Sequence, residues 1–171
     1  MKESPLIILA SGRFQSDTKS FVDFVFKDVD HTIAELLNFN ISPFNYSGNY
    51  PNDDEFYNLI GEIIKYKTII FATPVYWYSM SGLMKNFFDR FTDLVTIRKE
   101  TGRKLSGKSM FLIAVGTDEK LPTGFETPFK LTAEYFDMTY KNSVYFSIKH
   151  QNTDRYKLEK KNKFIDEIKS R

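Results

Sequence analysis

Two short stretches of this chain combine residue types that could do chemistry together. The first is Ser11-Gly12-Arg13-Phe14-Gln15-Ser16-Asp17-Thr18, three hydroxyls, a guanidinium and a glycine placed where an apolar run gives way to a helical pattern. Free backbone N–H groups open a helix, and with the helix dipole and an arginine they make a place for an anion. The plainer reading is an N-cap, Ser16 or Asp17 satisfying the first turn. Asp17 would also repel a phosphate unless it points outward. The second stretch is Thr73-Pro74-Val75-Tyr76-Trp77-Tyr78-Ser79-Met80-Ser81-Gly82. Three consecutive aromatics cannot all enter one core in the period of a helix or a strand. They either plug a domain edge or subunit interface, or form a partly exposed platform for a planar ligand.

The elements around these stretches decide whether they can meet. Pro5 to Ala10 is an apolar run that reads as a buried strand, followed by helical spacing of Phe21, Val22, Val25 and Phe26 between Asp17 and about Asp28. Ile69 to Ala72 reads as a strand buried on both faces, and Pro74, lacking a backbone donor, ends its ladder. Met80, Met84, Phe87, Phe91 and Leu94 then predict one amphipathic helix, with Lys85, Asp89, Arg90 and Asp93 on its polar side. Both stretches therefore sit at the carboxyl ends of strands in βα units.

The rest of the chain continues that alternation. His31 to Phe39 has apolar spacing that suits a helix, yet the topology requires a strand there. Asp53-Asp54-Glu55 marks a helix start, where acidic residues complement the dipole. Phe56, Leu59, Ile60, Ile63 and Ile64 form the face of that helix. Arg98 to Lys108 is polar and aperiodic and reads as a surface connection. Ser109 to Val115 reads as a fourth strand, Thr127 to Met138 as a helix, and Ser143 to Ile148 as a fifth strand. Asp154 to Lys169 closes with a helix whose lysines are a solvated side. Five alternations without a linker or repeat predict a single α/β domain over 1–171, a five-stranded parallel sheet wrapped by helices on both faces. In the order 2-1-3-4-5 the switch point falls between the first and third strands, the two that end in the candidate stretches.

Composition excludes several classes. A chain of 171 residues, 42% hydrophobic and 16% aromatic, suffices for one core and is short for two. Zero cysteines remove disulfides, zinc thiolates and cysteine nucleophiles together, and fit a reducing cytoplasm. His31 and His150 have no neighbours at metal-ligand spacing, so no metal is expected. No apolar run approaches the roughly 20 residues of a membrane span, and Met1-Lys2-Glu3-Ser4 opens nothing like a signal peptide. A formal charge of +2 gives no general affinity for nucleic acid. Neither a Gly-x-Gly-x-x-Gly nor a Gly-x-x-x-x-Gly-Lys-Ser/Thr occurs, which argues against a dinucleotide fold and a nucleoside triphosphatase.

The aromatic stretch from Thr73 to Gly82, with Lys85 and Asp89-Arg90 after it, resembles the second flavin loop and following helix of the flavodoxin-like NAD(P)H-dependent FMN reductases and quinone reductases. Ser11, Arg13, Ser16 and Thr18 are similar to the phosphate loop of the same family, although that family usually has Gly before the first Ser, where this chain has Ala10. The resemblance implies a flavodoxin-like three-layer fold and FMN as cofactor. It places the phosphate at Ser11, Arg13, Ser16, Asp17 and Thr18, and the isoalloxazine edge at Pro74, Val75, Tyr76, Trp77 and Tyr78. Gly116, Thr117 and Asp118 would add backbone contacts. It further implies hydride transfer from NAD(P)H as co-substrate to a quinone, flavin, azo compound or similar small-molecule acceptor, and a homodimer. No acid–base residue is nominated, since the flavin supplies the chemistry. Residues 39–51 would cover the flavin edge or a partner subunit, or form a satellite cluster. A flavodoxin-type electron carrier and a flavin-free binding protein of the same fold are the alternatives.

Overall fold

Four of the five strands are apolar on consecutive residues, which only a sheet covered on both faces can use. The computed structural model describes residues 1–150 and 153–170. The strands are β1 (Leu6–Leu9), β2 (Thr32–Glu35), β3 (Thr68–Pro74), β4 (Ser109–Gly116) and β5 (Thr139–Ser147), all parallel, in the order β2-β1-β3-β4-β5. The parallel sheet is the one expected from the alternation, and its order is the flavodoxin-like one that the resemblance implies.

Residues alternate between two cores with the period of the pleat. Leu6, Ile8, Ile69, Phe71, Met110 and Leu112 face one layer, built on α2 (Phe56–Ile63), α3 (Gly82–Asp89), α4 (Phe91–Thr96) and α6 (Thr127–Tyr135). Ile7, Leu9, Ile70, Ala72, Phe111 and Ile113 face the other, built on α1 (Asp17–Phe26) and α7 (Asp154–Lys169). No helix among the described residues is long and apolar enough to cross a membrane.

Several boundaries differ from the sequence expectation. The strand at 31–39 is limited to β2 and passes into a 3-10 turn at Leu36–Asn38. The supposedly irregular stretch after Arg98 holds a short helix, α5 (Lys99–Arg103). The fifth strand begins at Thr139, four residues early, in a polar segment at the sheet edge.

The largest difference lies after the aromatic stretch, where the single expected helix is two, α3 and α4, meeting at Arg90. Arg90 and Asp93 are buried completely instead of lying on a polar side. The Arg90 guanidinium holds both carboxylate oxygens of Asp54 at 2.8 and 3.1 Å, Asp93 at 2.9 Å and the Ser42 carbonyl at 3.0 Å. Its carbon stands 3.4 Å from the centroid of the Tyr50 ring. Asp54 also accepts from Phe56 N at 3.2 Å at the start of α2, so it serves the helix end as expected and pairs with Arg90 as well. The aromatic segment 39–51 is pinned to α3 and α4 through Arg90 and through Asn86, which donates to the Ile41 carbonyl at 2.8 Å.

Candidate functional site

β1 hands the chain to α1 on one face of the sheet and β3 hands it to α3 on the other, so a crevice opens between their carboxyl ends. A cleft of about 400 Å³ occupies that crevice. It brings Ser11, Arg13, Ser16, Asp17 and Thr18 against Pro74, Val75 and Tyr76, with Gly116 and Thr117 closing the side.

The anion loop has unused donors. Ser16 is the N-cap of α1, its hydroxyl oxygen accepting from Lys19 N at 3.1 Å, so the plainer reading holds for that residue. The cap leaves most of the loop unsatisfied: among the described residues no acceptor meets the backbone N–H groups of Ser11 to Thr18. The hydroxyls of Ser11 and Thr18 have no protein partner there either, although the two residues are only 4% and 2% exposed. Buried polar groups are rarely left in that state unless a ligand or water completes them. Asp17 answers its own objection, because its carboxylate is turned to the Arg13 guanidinium at 3.2 Å on an exposed edge. Such a surface pair is worth only about 0–1 kcal/mol and leaves most of the guanidinium donors available.

Across the cleft, Thr73 and Ser81 fix the aromatic loop from beneath. Thr73 Oγ1 accepts from Ser81 N at 3.0 Å and donates to the Pro74 carbonyl at 3.0 Å. Tyr76 and Ser79 exchange both backbone hydrogen bonds at 2.9 and 3.0 Å, closing a two-residue turn. Its central residues are Trp77 and Tyr78, at φ 47° and 65°. That turn normally takes Asn or Gly, since a Cβ is crowded in the left-handed region. Trp77 is 93% exposed and Tyr78 is also exposed. Tyr76 lines the cleft, whereas Trp77 and Tyr78 project beyond its lining.

The third loop follows β4. Val75 N donates to the Val115 carbonyl at 2.7 Å, so the two loops leave the sheet together. Gly116 admits no side chain: an added Cβ would lie 2.7 Å from Tyr145 Oη and 3.2 Å from Val75 Cβ. Tyr145 Oη donates to the Asp118 carbonyl at 2.8 Å, and burial raises the phenol above its ordinary value. Asp118 itself does not line the cleft. Gly12 of the anion stretch does, and so do Val115 and Ile148, which the sequence reading places only in strands. Val115 and Ile148 end their strands, so the rule that brought the other loops here would have reached them too. Among the described residues no group of three or more His, Asp or Glu is placed to hold a metal. A hollow of about 500 Å³ beside α4 and α5 is larger, but Ser106 and Asp137 in its wall precede β4 and β5, so it opens at the amino ends of the strands.

The donor set suits a phosphomonoester, and the neighbouring wall suits a flat ring. Comparison with known proteins is consistent with both. The sequence model of the family described as NADPH-dependent FMN reductase matches residues 5–153. YwqN of Bacillus subtilis (strain 168), whose name describes an NAD(P)H-dependent FMN-containing oxidoreductase, is 31% identical over 101 residues, 57% of this chain and 56% of that protein's length. Among solved structures, the Trp repressor binding protein of Bacillus subtilis superimposes with a TM-score of 0.72 at 21% identity over 93% of this chain and 94% of its own. An NADPH-quinone reductase of P. pentosaceus gives 0.65 at 18%, covering 94% and 96%. The general stress protein 14 of Treponema denticola, solved in complex with FMN, gives 0.63 at 20%, covering 97% and 96%.

Proposed function

The chain belongs to the NADPH-dependent FMN reductase family, and from that premise we propose that it binds FMN in the β1–β3 crevice and oxidises NAD(P)H. The observation that carries the proposal is the row of unaccepted N–H groups and buried, unpartnered hydroxyls at Ser11 to Thr18, facing an aromatic loop across one cleft. The amides, Ser11, Thr18 and Arg13 would hold the phosphate by charge-assisted hydrogen bonds. Pro74, Val75 and Tyr76 would border the isoalloxazine, with Gly116 and Thr117 meeting it through backbone. Trp77, Tyr78 and Asp118 belong to the outer rim in this reading. When bound there, FMN would supply the two-electron chemistry between NAD(P)H and a quinone, flavin or azo acceptor. The chain's own part is placement and exclusion of water, so no side chain needs to titrate.

Exposed Tyr76, Trp77 and Tyr78 at the mouth support a homodimer in which a second copy covers the aromatic tip. The decisive experiment is anaerobic: FMN is added to apoprotein, then NADH or NADPH. Loss of the visible flavin absorbance followed by its return on adding a quinone supports the reading. A protein that binds FMN but turns over no quinone is a flavodoxin-type carrier instead.

A further inference from the structure

Three consecutive carbonyls of the loop after β4 are taken by β5 and the residue that follows it. The Gly116 carbonyl accepts from Ile148 N at 2.9 Å, that of Thr117 from Ser147 Oγ at 3.4 Å, and that of Asp118 from Tyr145 Oη at 2.8 Å. A trans peptide sets its N–H opposite its C=O. The N–H groups of Thr117 and Asp118 therefore point away from β5, and among the described residues neither meets an acceptor. Thr117 lines the cleft and Asp118 follows at its rim, so this wall carries two adjacent free donors, an anion-attracting nest. Tyr145 and Ser147 hold that direction. Both are buried, and the period of two puts them on one face of β5. Ser147 Oγ accepts from His150 N at 3.2 Å, which leaves its hydrogen for Thr117. Burial raises the Tyr145 phenol above its ordinary value, so it stays a donor at neutral pH.

Fixed backbone donors stabilise most the group on which negative charge grows. In FMN that group is the carbonyl-bearing edge of the ring, which is neutral in the oxidised cofactor and gains charge on two-electron reduction. We propose that Tyr145 and Ser147 are positioning residues that set the redox poise of the flavin. By holding the Asp118 and Thr117 carbonyls against β5, they keep the N–H groups of Thr117 and Asp118 aimed at that edge and favour the reduced cofactor over the oxidised one. The proposal rests on the assignment of FMN to this crevice. The anion loop does not serve the same purpose, because a phosphate carries its charge in both redox states. Ser11 to Thr18 thus govern how tightly the cofactor is held, and β5 governs how readily it accepts a hydride.

The test is anaerobic reduction of the FMN-loaded protein beside a dye of known potential, together with fluorescence titration of apoprotein with oxidised FMN. Wild type, Tyr145→Phe and Ser147→Ala are compared. Tyr145→Phe keeps the ring and removes only the hydroxyl. It is expected to leave oxidised FMN affinity within about threefold and to weaken reduced FMN about tenfold, a fall of about 30 mV for a two-electron couple. Ser147→Ala, which removes the longer contact, should shift the ratio in the same direction by about threefold. The ratio is read on folded, FMN-loaded protein, so a loss of stability alone does not move it. Should Tyr145→Phe fold poorly, Ser147→Ala carries the same measurement. Potentials within about 5 mV of wild type overturn the proposal. Equal weakening of oxidised and reduced FMN overturns it too, since that is the mark of a loop merely loosened. A wild type that binds no FMN rejects the flavin reading itself, a result distinct from bound FMN whose potential the variants leave unmoved.

Discussion

Ser81 Oγ donates to the carbonyl oxygen of Ala10 at 2.7 Å, joining residues 71 apart in the chain. Ala10 directly follows β1, one residue before the anion loop, and Ser81 is the N-cap of α3, one residue before the helix that leaves the aromatic loop. The same hydroxyl accepts from Met84 N at 3.2 Å, and Ser81 N donates to Thr73 Oγ1. One buried side chain thus sets the separation of the two walls of the cleft.

Ser81→Ala removes the cap and strands a buried carbonyl. A lost cap costs about 1 kcal/mol and an unsatisfied buried acceptor about 1–3 kcal/mol. For a chain of this length, each kcal/mol corresponds to roughly 2–4 °C in Tm, so a fall of roughly 4–16 °C is expected by scanning calorimetry. FMN affinity of the folded variant should fall as well, because both walls lose their common tie. A variant that melts within about 2 °C of wild type contradicts this role.

Arg13→Ala tests the anion loop directly. The side chain is largely exposed and among the described residues its ion pair is with Asp17 alone, so stability should change by less than about 1 kcal/mol. FMN affinity should drop about ten- to a hundredfold, the value of a charge-assisted hydrogen bond of roughly 1.5–3 kcal/mol. Asp17→Asn should leave FMN binding unchanged or tighten it, since it frees the guanidinium and removes a negative charge. Equal weakening by both substitutions would mean that the Arg13–Asp17 pair is merely structural.

Much of this architecture is legible in the sequence because each strand is a short apolar run and each helix has a periodic face. What escaped depends on partners far away in the chain. Arg90 and Asp93 have the spacing of a polar helix side, but Asp54 arrives 36 residues earlier to pair with Arg90 in the core. No periodicity carries that information. Nor does anything in Tyr76-Trp77-Tyr78-Ser79 announce a left-handed turn, since the usual Asn and Gly are missing. Both loops of the cleft were legible because strand ends at a switch point are fixed by topology alone. Ile148 carries no polar group to mark it in the sequence, although an apolar residue just past a strand end can wall a ligand equally well.

Asp54 gives a pH prediction. Burial pushes its carboxyl up, but hydrogen bonds from Arg90, with those from Ser42 and Phe56 N–H, outweigh burial and hold it below the ordinary 3.8. A depressed carboxyl favours the folded state when ionised, so this stabilisation is complete above about pH 4 and is lost as pH falls through the lowered value. Asp54→Asn, which leaves a buried guanidinium short of a partner, should be destabilised at pH 7 by about 3–5 kcal/mol. The gap between wild type and variant in urea unfolding should then narrow below pH 4, where wild type loses the same charge. A gap that stays constant down to pH 2 contradicts the pairing.

Gly116→Ala probes the third wall. The new Cβ would crowd Tyr145 Oη, whose hydroxyl holds the Asp118 carbonyl. Overpacking of this kind costs about 1–3 kcal/mol, and flavin affinity should fall with it. Tyr145→Phe in the same protein removes the closest atom and should restore part of both losses. Simple additivity of the two substitutions in a double-mutant cycle would show that the contact is not the cause.

Trp77 separates the needs of the fold from those of the ligand. It is the chain's single tryptophan, it is almost wholly exposed, and its backbone lies at φ 47°. A core tryptophan would lose about 3–5 kcal/mol on truncation, but this one has little packing to lose and a left-handed conformation to relieve. Trp77→Gly should therefore stabilise the apoprotein, by about 1 kcal/mol, or a rise of roughly 2–4 °C in Tm. If the strained tip is retained for the flavin and its co-substrate, the same variant should bind FMN more weakly or turn over NAD(P)H more slowly despite its higher Tm. FMN added to wild-type apoprotein should quench Trp77 emission, saturating at one flavin per chain. Energy transfer reaches past contact distance, so quenching alone does not place the ring. The paired outcome does: a tip that gains stability and loses flavin affinity lies at the ligand, whereas a variant that gains stability with binding and turnover unchanged has no part in the site.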